Sequence, residues 1–176
     1  SLDQHAKDQN QDSEEFRKKI NSLHSKLFAY RKKRIHPQKD DKVLTDWNGL
    51  MISTFAQSAK ALNQKKYLNI AQKAADFCLS ELRQKNGRLL KRWRKGKAGL
   101  PGHLEDYAFL TQGLLDLYEA SFEIKYLRAS IELVDLTLKH FEDRTEGGFF
   151  LTANDGEKLL IRAKEIYDGA IPSGNS

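Results

Sequence analysis

A single cysteine, Cys78, and the lack of any long uninterrupted apolar run set the first limits on this 176-residue chain. One cysteine excludes an internal disulfide framework and a zinc site built on cysteine pairs. Its setting among helix-forming apolar residues reads as a buried, unreactive thiol. Without about 18 consecutive apolar residues there is no transmembrane helix. The start Ser1-Leu2-Asp3-Gln4 lacks the charged-then-apolar layout of a signal peptide, so the expected location is cytoplasmic. His-Glu-x-x-His and Asp-x-Asp patterns are also missing, so neither metal nor cofactor is expected. What remains is a hydrophobic share of 39% and a charged share of 31%, with a mean hydropathy of −0.67. That length and composition are those of one ordinary soluble domain rather than of a disordered chain.

The formal charge of +6 is local, because Arg83 to Lys97 holds eight basic and no acidic residues. With the interleaved Trp93, this run is the strongest case for phosphate neutralisation and base stacking. No nucleic-acid-binding fold surrounds it, so a solvated hairpin is the expected reading and nucleic acid is not the expected partner. Membrane binding is not expected either.

Along the chain, Ser1 to Asp12 is too polar to offset its ordering entropy and reads as a frayed arm. Ser13 with Glu14 and Glu15 then gives a cap and early-turn acids. Phe16, Ile20, Leu23, Leu27 and Tyr30 follow at helical spacing until Pro37. Beyond this the sequence repeats itself at an offset of 59 residues. Ala61, Tyr67, Leu68, Asp76 and Leu79 return as Ala120, Tyr126, Leu127, Asp135 and Leu138. Each copy has a helix dense in apolar and small residues (47–62 and 104–122). A second, one-sided helix follows, with the stripe Tyr67, Ile70, Ala71, Ala74, Phe77, Cys78 in one copy and Leu127, Ile131, Val134, Leu138, Phe141 in the other. An inner and an outer helix per copy predict an all-α fold of concentric layers. Gly-rich segments after each pair, 86–90 and 146–151 with a return at 159–161, predict small β-hairpins. Asn154-Asp155-Gly156 is the turn signal of the second. Asp168-Gly169 and Pro172 to Ser176 read as the opening of a third unit, so residues 13–176 are expected to be the N-terminal part of a longer domain.

Both copies place polar residues at the start of the inner helix: Asp46, Trp47 and Asn48 in the first, Glu105, Asp106 and Tyr107 in the second. Asp168 holds a similar place before the third unit. Inner helices running parallel would gather these ends at one mouth. Carboxylates and amides there would hold sugar hydroxyls, aromatic rings would take their C–H faces, and paired acids could supply acid–base chemistry. Helix-capping and dipole-compensating roles would explain the same acids.

The runs Asp41-Lys42-Val43-Leu44-Thr45-Asp46-Trp47-Asn48-Gly49-Leu50-Met51, Leu104-Glu105-Asp106-Tyr107-Ala108-Phe109 and Asp168-Gly169-Ala170-Ile171-Pro172-Ser173-Gly174-Asn175-Ser176 resemble the YyaL-type family, which includes spermatogenesis-associated thioredoxin-domain proteins. The resemblance spans about residues 13–176. It implies an incomplete α/α toroid of the six-hairpin glycosidase type, similar to N-acylglucosamine 2-epimerases, that follows a thioredoxin-like domain. On that reading the function is carbohydrate-active, glycosidase- or epimerase-like, with the reaction undefined and the isolated piece inactive. Asp46, Glu105, Asp106 and Asp168 are the candidate acids, bases or hydroxyl anchors. Trp47 and Tyr107 are the stacking platform, and Asn48, Trp93, His103 and Arg162 the further ligand contacts, Arg162 as an orienter of the acids. His103 is the one histidine beside the proposed mouth, whereas epimerases use histidines for proton transfer. The alternative is a non-catalytic scaffold or binding module attached to the thioredoxin-like domain. A cut toroid would also expose apolar inner-helix surface, so self-association is expected.

Overall fold

The computed structural model describes residues 1–176 and divides into two compact units, Ser1–Asp40 and Asp41–Ser176. In the first, the polar segment read as an arm holds a short helix, α1 (Leu2–Asp8), capped by the Ser1 hydroxyl. Asp3 receives both Nε and Nη2 of Arg17, at 3.0 and 2.6 Å. The expected first long helix is α2 (Ser13–Arg31). Its cap is Asp12 rather than Ser13, because Oδ1 of Asp12 accepts from the Glu14 and Glu15 amides at 3.0 and 2.9 Å. None of its residues is buried.

The second unit contains β1 (Val43–Leu44), α3 (Thr45–Leu62), α4 (Lys65–Glu81), β2 (Leu90–Arg94), β3 (Lys97–Pro101), α5 (Leu104–Ser121) and α6 (Ile124–His140). Every boundary of α5 and α6 lies 59 residues after its counterpart in α3 and α4. Even the left-handed C-caps correspond, Asn63 and Phe122. The repeat is therefore a repeat of structure.

The inner helices α3 and α5 run parallel and touch backbone to backbone. A Cβ on Gly49 would lie 2.4 Å from the carbonyl carbon of Phe109, and one on Gly113 would lie 2.5 Å from the Gly49 carbonyl oxygen. Ile52 and Ala56 of α3, Ala71, Ala75 and Cys78 of α4, Leu110, Leu114 and Leu117 of α5, and Tyr126 and Leu133 of α6 close the core. Burial pushes the Cys78 thiol up to about 12, so it stays protonated, an inert packing group.

On α6 the buried residues are Tyr126, Ala129, Ser130 and Leu133. Of the stripe expected to face the core, Phe141 is buried, while Ile131, Val134 and Leu138 are exposed. The helix has two apolar faces, and periodicity alone cannot tell which one meets α5.

The basic run forms the hairpin β2–β3, turning at Lys95-Gly96 with both residues at positive φ. β1 pairs with β2, Val43 opposite Trp93. The 86–90 and 146–151 segments give the isolated bridges Arg83–Leu89 and Glu142–Phe149. The expected return strand at 159–161 is absent. Instead Leu151 N–H donates to the Ala163 carbonyl at 2.8 Å, and Arg162 clamps the Thr152 carbonyl. A guanidinium thus takes the place of a ladder.

Gly49→Ala should lower stability by roughly 1–3 kcal/mol or abolish folding, since its neighbour is backbone that cannot swing aside. Gly156→Ala, whose nearest contact would be 3.5 Å away, should change the melting temperature little. Thermal denaturation followed by circular dichroism compares the two. Equal melting temperatures would contradict the close packing of α3 on α5.

Candidate functional site

The parallel inner helices bring their first turns together, and one lysine sits between them. Asp46 N–H donates to Oδ1 of Asp106 at 3.1 Å, and His103 N–H donates to its Oδ2 at 2.8 Å. The second bond is the capping contact from the third residue of α5 back to its N-cap. Lys91 Nζ donates to Oδ2 of Asp46 at 3.2 Å and to Oδ2 of Asp106 at 3.4 Å. Side-chain exposures are 28% for Lys91, 13% for Asp46 and 0% for Asp106. Of the three side chains, that of Lys91 is the most open to solvent.

Burial pushes the Asp106 carboxyl up to about 6, although Lys91 and the His103 amide favour its ionised form. Burial would lower the Lys91 pKa, but Asp106 and Asp46 outweigh it and the net shift is upward. The lysine stays an ammonium and acts as a donor, not a nucleophile. His103 is shifted down by burial and by the Lys91 charge, which favours the neutral imidazole.

Strand alternation points Lys91 and Trp93 to one side of β2. Beside Lys91 and His103 lies a cleft of about 580 Å³, walled by Arg88, Leu89, Leu100 and Pro101 on one side and Thr152, Asp155 and Leu159 on the other. Arg88 ties the walls through Nη1 to both carboxylate oxygens of Asp155, at 2.9 and 2.8 Å. The Thr152 hydroxyl is buried without a hydrogen-bond partner.

The remaining expected residues divide. Trp47 is 54% exposed on the first turn of α3, next to Asp46. Glu105 is half-buried in the first turn of α5. Asn48 is spent on the fold, its Nδ2 donating to the Leu44 carbonyl at 2.7 Å. Tyr107, expected to stack on a ligand, is fully buried. Its ring packs against Phe141 and its hydroxyl accepts from Leu89 N–H and Arg88 Nε. Arg162, expected to orient the acids, lies over the Phe150 ring and donates to the Thr152 and His140 carbonyls. Trp93 packs edge-on against Phe77. Asp168 accepts from Ser173 N–H and the Ser176 hydroxyl, which organises its own loop. Lys91 was hidden within the basic run, whose Arg83, Arg88 and Arg94 also meet acids. Only a pairing of strand register with helix start could have singled it out. No group of three or more histidine, cysteine, aspartate or glutamate side chains converges as a metal site would need.

The fold is that of the α/α toroid enzymes. The chain superposes on cellobiose 2-epimerase from Spirochaeta thermophila with a TM-score of 0.60 and 22% identity, over 65% of this chain and 30% of that one. For cellobiose 2-epimerase from Bacillus thermoamylovorans the values are 0.62 and 17%, over 78% and 36%. A GH76 α-mannanase from Bacteroides thetaiotaomicron gives 0.56 and 24%, over 69% and 35%. No protein-family model matches the sequence. In sequence the chain is a homologue of spermatogenesis-associated protein 20, with 41% identity to the human protein over 175 residues, 94% of this chain. Identity to the rat protein is 40% over 167 residues. The chain spans about a fifth of the length of these relatives, 22% and 21%.

Asp106 should titrate near 6, read from its carboxyl carbon by NMR. Its folded value lies above the ordinary 3.8, so its favourable contribution to stability is present below pH 4 and is lost as pH rises through about 6. Lys91→Met should raise the Asp106 value further. Titration near 4, or no movement in the variant, would contradict this electrostatic arrangement.

Proposed function

We propose that this domain binds a carbohydrate where the first turns of α3 and α5 meet the cleft beside Lys91, and that it carries glycosidase- or epimerase-like acid–base chemistry there. The observation that carries the reading is the Asp46–Lys91–Asp106 trio at the start of the inner helices, with the exposed Trp47 next to Asp46 in the first turn of α3. An aromatic face offers a sugar its C–H contact, and a fixed ammonium with a partly exposed carboxylate offers hydroxyls a donor and an acceptor. The epimerase and mannanase neighbours support a sugar ligand by analogy of fold.

Within this reading the roles separate by exposure. Trp47 stacks, Lys91 donates to a ligand oxygen, and Asp46 is the acid or base of the trio that a ligand can reach. Asp106, fully buried, is a positioning residue that holds Lys91 and the His103 amide. A neutral His103 at the cleft edge would accept a proton. The unpartnered Thr152 hydroxyl awaits a ligand oxygen or a water. Glu105, half-buried in the first turn of α5, remains a candidate hydroxyl anchor, while Asp168 is engaged by its own loop.

A non-catalytic scaffold or binding module attached to a thioredoxin-like domain is the second reading. The burial of Asp106 and Tyr107 favours it, since both lock elements together.

A thermal-shift screen with neutral mono- and disaccharides and with sugar phosphates separates the two. At about 100 times its Kd a ligand of the native state stabilises it by about 2.7 kcal/mol, a shift of several degrees. Trp47→Ala, on the surface, should keep the unliganded melting temperature and lose the shift. No shift with any sugar, together with a lowered melting temperature in Asp106→Asn, would support the scaffold instead.

A further inference from the structure

The hairpin β2–β3 is irregular where it borders the cleft. Leu100 of β3 has a φ of +63°, a left-handed conformation that is unfavourable for a bulky side chain and is usually left to glycine or asparagine. Its side chain is 56% exposed. A lone exposed leucine is ordinary, but one held on a strained backbone at the edge of a cleft is the kind of position that a binding role retains. The register that pairs Leu90 with Pro101 and Arg92 with Gly99 sets Leu100 across from Lys91. Leu89 and Pro101 continue the apolar surface on this side, and Leu159 adds to it from the other. The two walls are joined by the Arg88–Asp155 ion pair and by Leu104 N–H, which donates to the Leu151 carbonyl at 3.0 Å. No aromatic ring lines this space, so a second sugar would find no stacking face there, whereas branched aliphatic side chains suit a hydrocarbon. Charge points the same way. Arg88 is met by Asp155, and Lys91 by Asp46 and Asp106, so neither cation carries uncompensated charge for a phosphate or carboxylate. Glu157 adds a further carboxylate to the lining.

We propose that the ligand of this site is a sugar joined to an uncharged aliphatic group, the sugar held at Lys91 and the aliphatic group lodged in the cleft between Leu100 and Leu159. This rests on the carbohydrate reading above and narrows it to a substrate class, an alkyl-type glycoside rather than a free sugar, a longer saccharide or a sugar phosphate. The cleft of about 580 Å³ has room for a sugar ring and a short chain together. The Thr152 hydroxyl, buried without a partner in the wall that carries Leu159, would bond the oxygen that links the two. Leu100 is then a specificity-determining residue. Its strained backbone presents a leucine where glycine or asparagine would leave the lip of the cleft bare or polar.

Calorimetric titration of the whole chain with matched methyl and hexyl glycosides of glucose, mannose and N-acetylglucosamine tests this. For the sugar that binds, the hexyl glycoside should bind at least about tenfold more tightly than the methyl glycoside, since it buries several more methylenes. Leu100→Asn should cut that preference to about threefold or less, and it should melt no lower than the parent chain, because asparagine accepts a positive φ. Leu159→Ser, an exposed position on the facing wall, should reduce the preference in the same direction. Equal affinities for the methyl and hexyl glycosides overturn this inference and leave the carbohydrate reading standing. So does a hexyl preference that survives Leu100→Asn and Leu159→Ser in folded variants, because the chain is then held elsewhere. Binding of no glycoside at all overturns both.

Discussion

The approach of α3 to α5 at Gly49 and Gly113 is the constraint on which the second unit depends. Backbones that meet without intervening side chains fix both the spacing and the stagger of two parallel helices, so their N-termini arrive level with one another. That level arrival places the Asp46 amide on the Asp106 carboxylate. Thr45 secures the junction from the sheet side, its hydroxyl donating to the Leu90 carbonyl at 2.6 Å. With β2 anchored there, Lys91 falls between the two acids. A packing requirement in the core and a charged trio at the rim therefore share one cause.

Burial then divides the labour among chemically similar residues. Two aspartates at the ends of equivalent helices differ because one is sealed under the hairpin and the other keeps an edge in solvent. The sealed carboxyl is costly to ionise and is stabilised by a lysine and two backbone amides. It can orient Lys91 but not touch a ligand. The aromatic pair divides in the same way: Trp47 is open and Tyr107 is a core residue with a satisfied hydroxyl. Arg88, which also contacts Tyr107, carries this core outward to Asp155 and so sets the width of the cleft.

Much of the fold was legible in the sequence because the repeat is a property of residue order. The 59-residue interval reproduces helix boundaries and capping positions, and the starts of the inner helices are where Asp46 and Asp106 meet Lys91. What the sequence hid was direction. The α6 stripe is apolar on two sides, and nothing local says which one meets α5. Arg162 has the right charge to orient carboxylates, yet two carbonyls and the Phe150 ring claim it. Lys91 was lost in a crowd of basic residues. Its role follows from the register of β2 against β1 and α3, a long-range fact that no spacing rule contains. Asp12 and not Ser13 caps α2 because the carboxylate can accept two amides at once.

The most direct test of the account is a chemical-shift map of the labelled chain titrated with neutral disaccharides. The Trp47 indole N–H, the Lys91 side chain and the His103 ring should move together and saturate with one affinity, while the Tyr107 and Phe141 ring signals stay in place. Saturable binding whose shifts bypass Trp47 and Lys91, or no saturable shift with any sugar tested, would contradict a carbohydrate site at the meeting of α3 and α5.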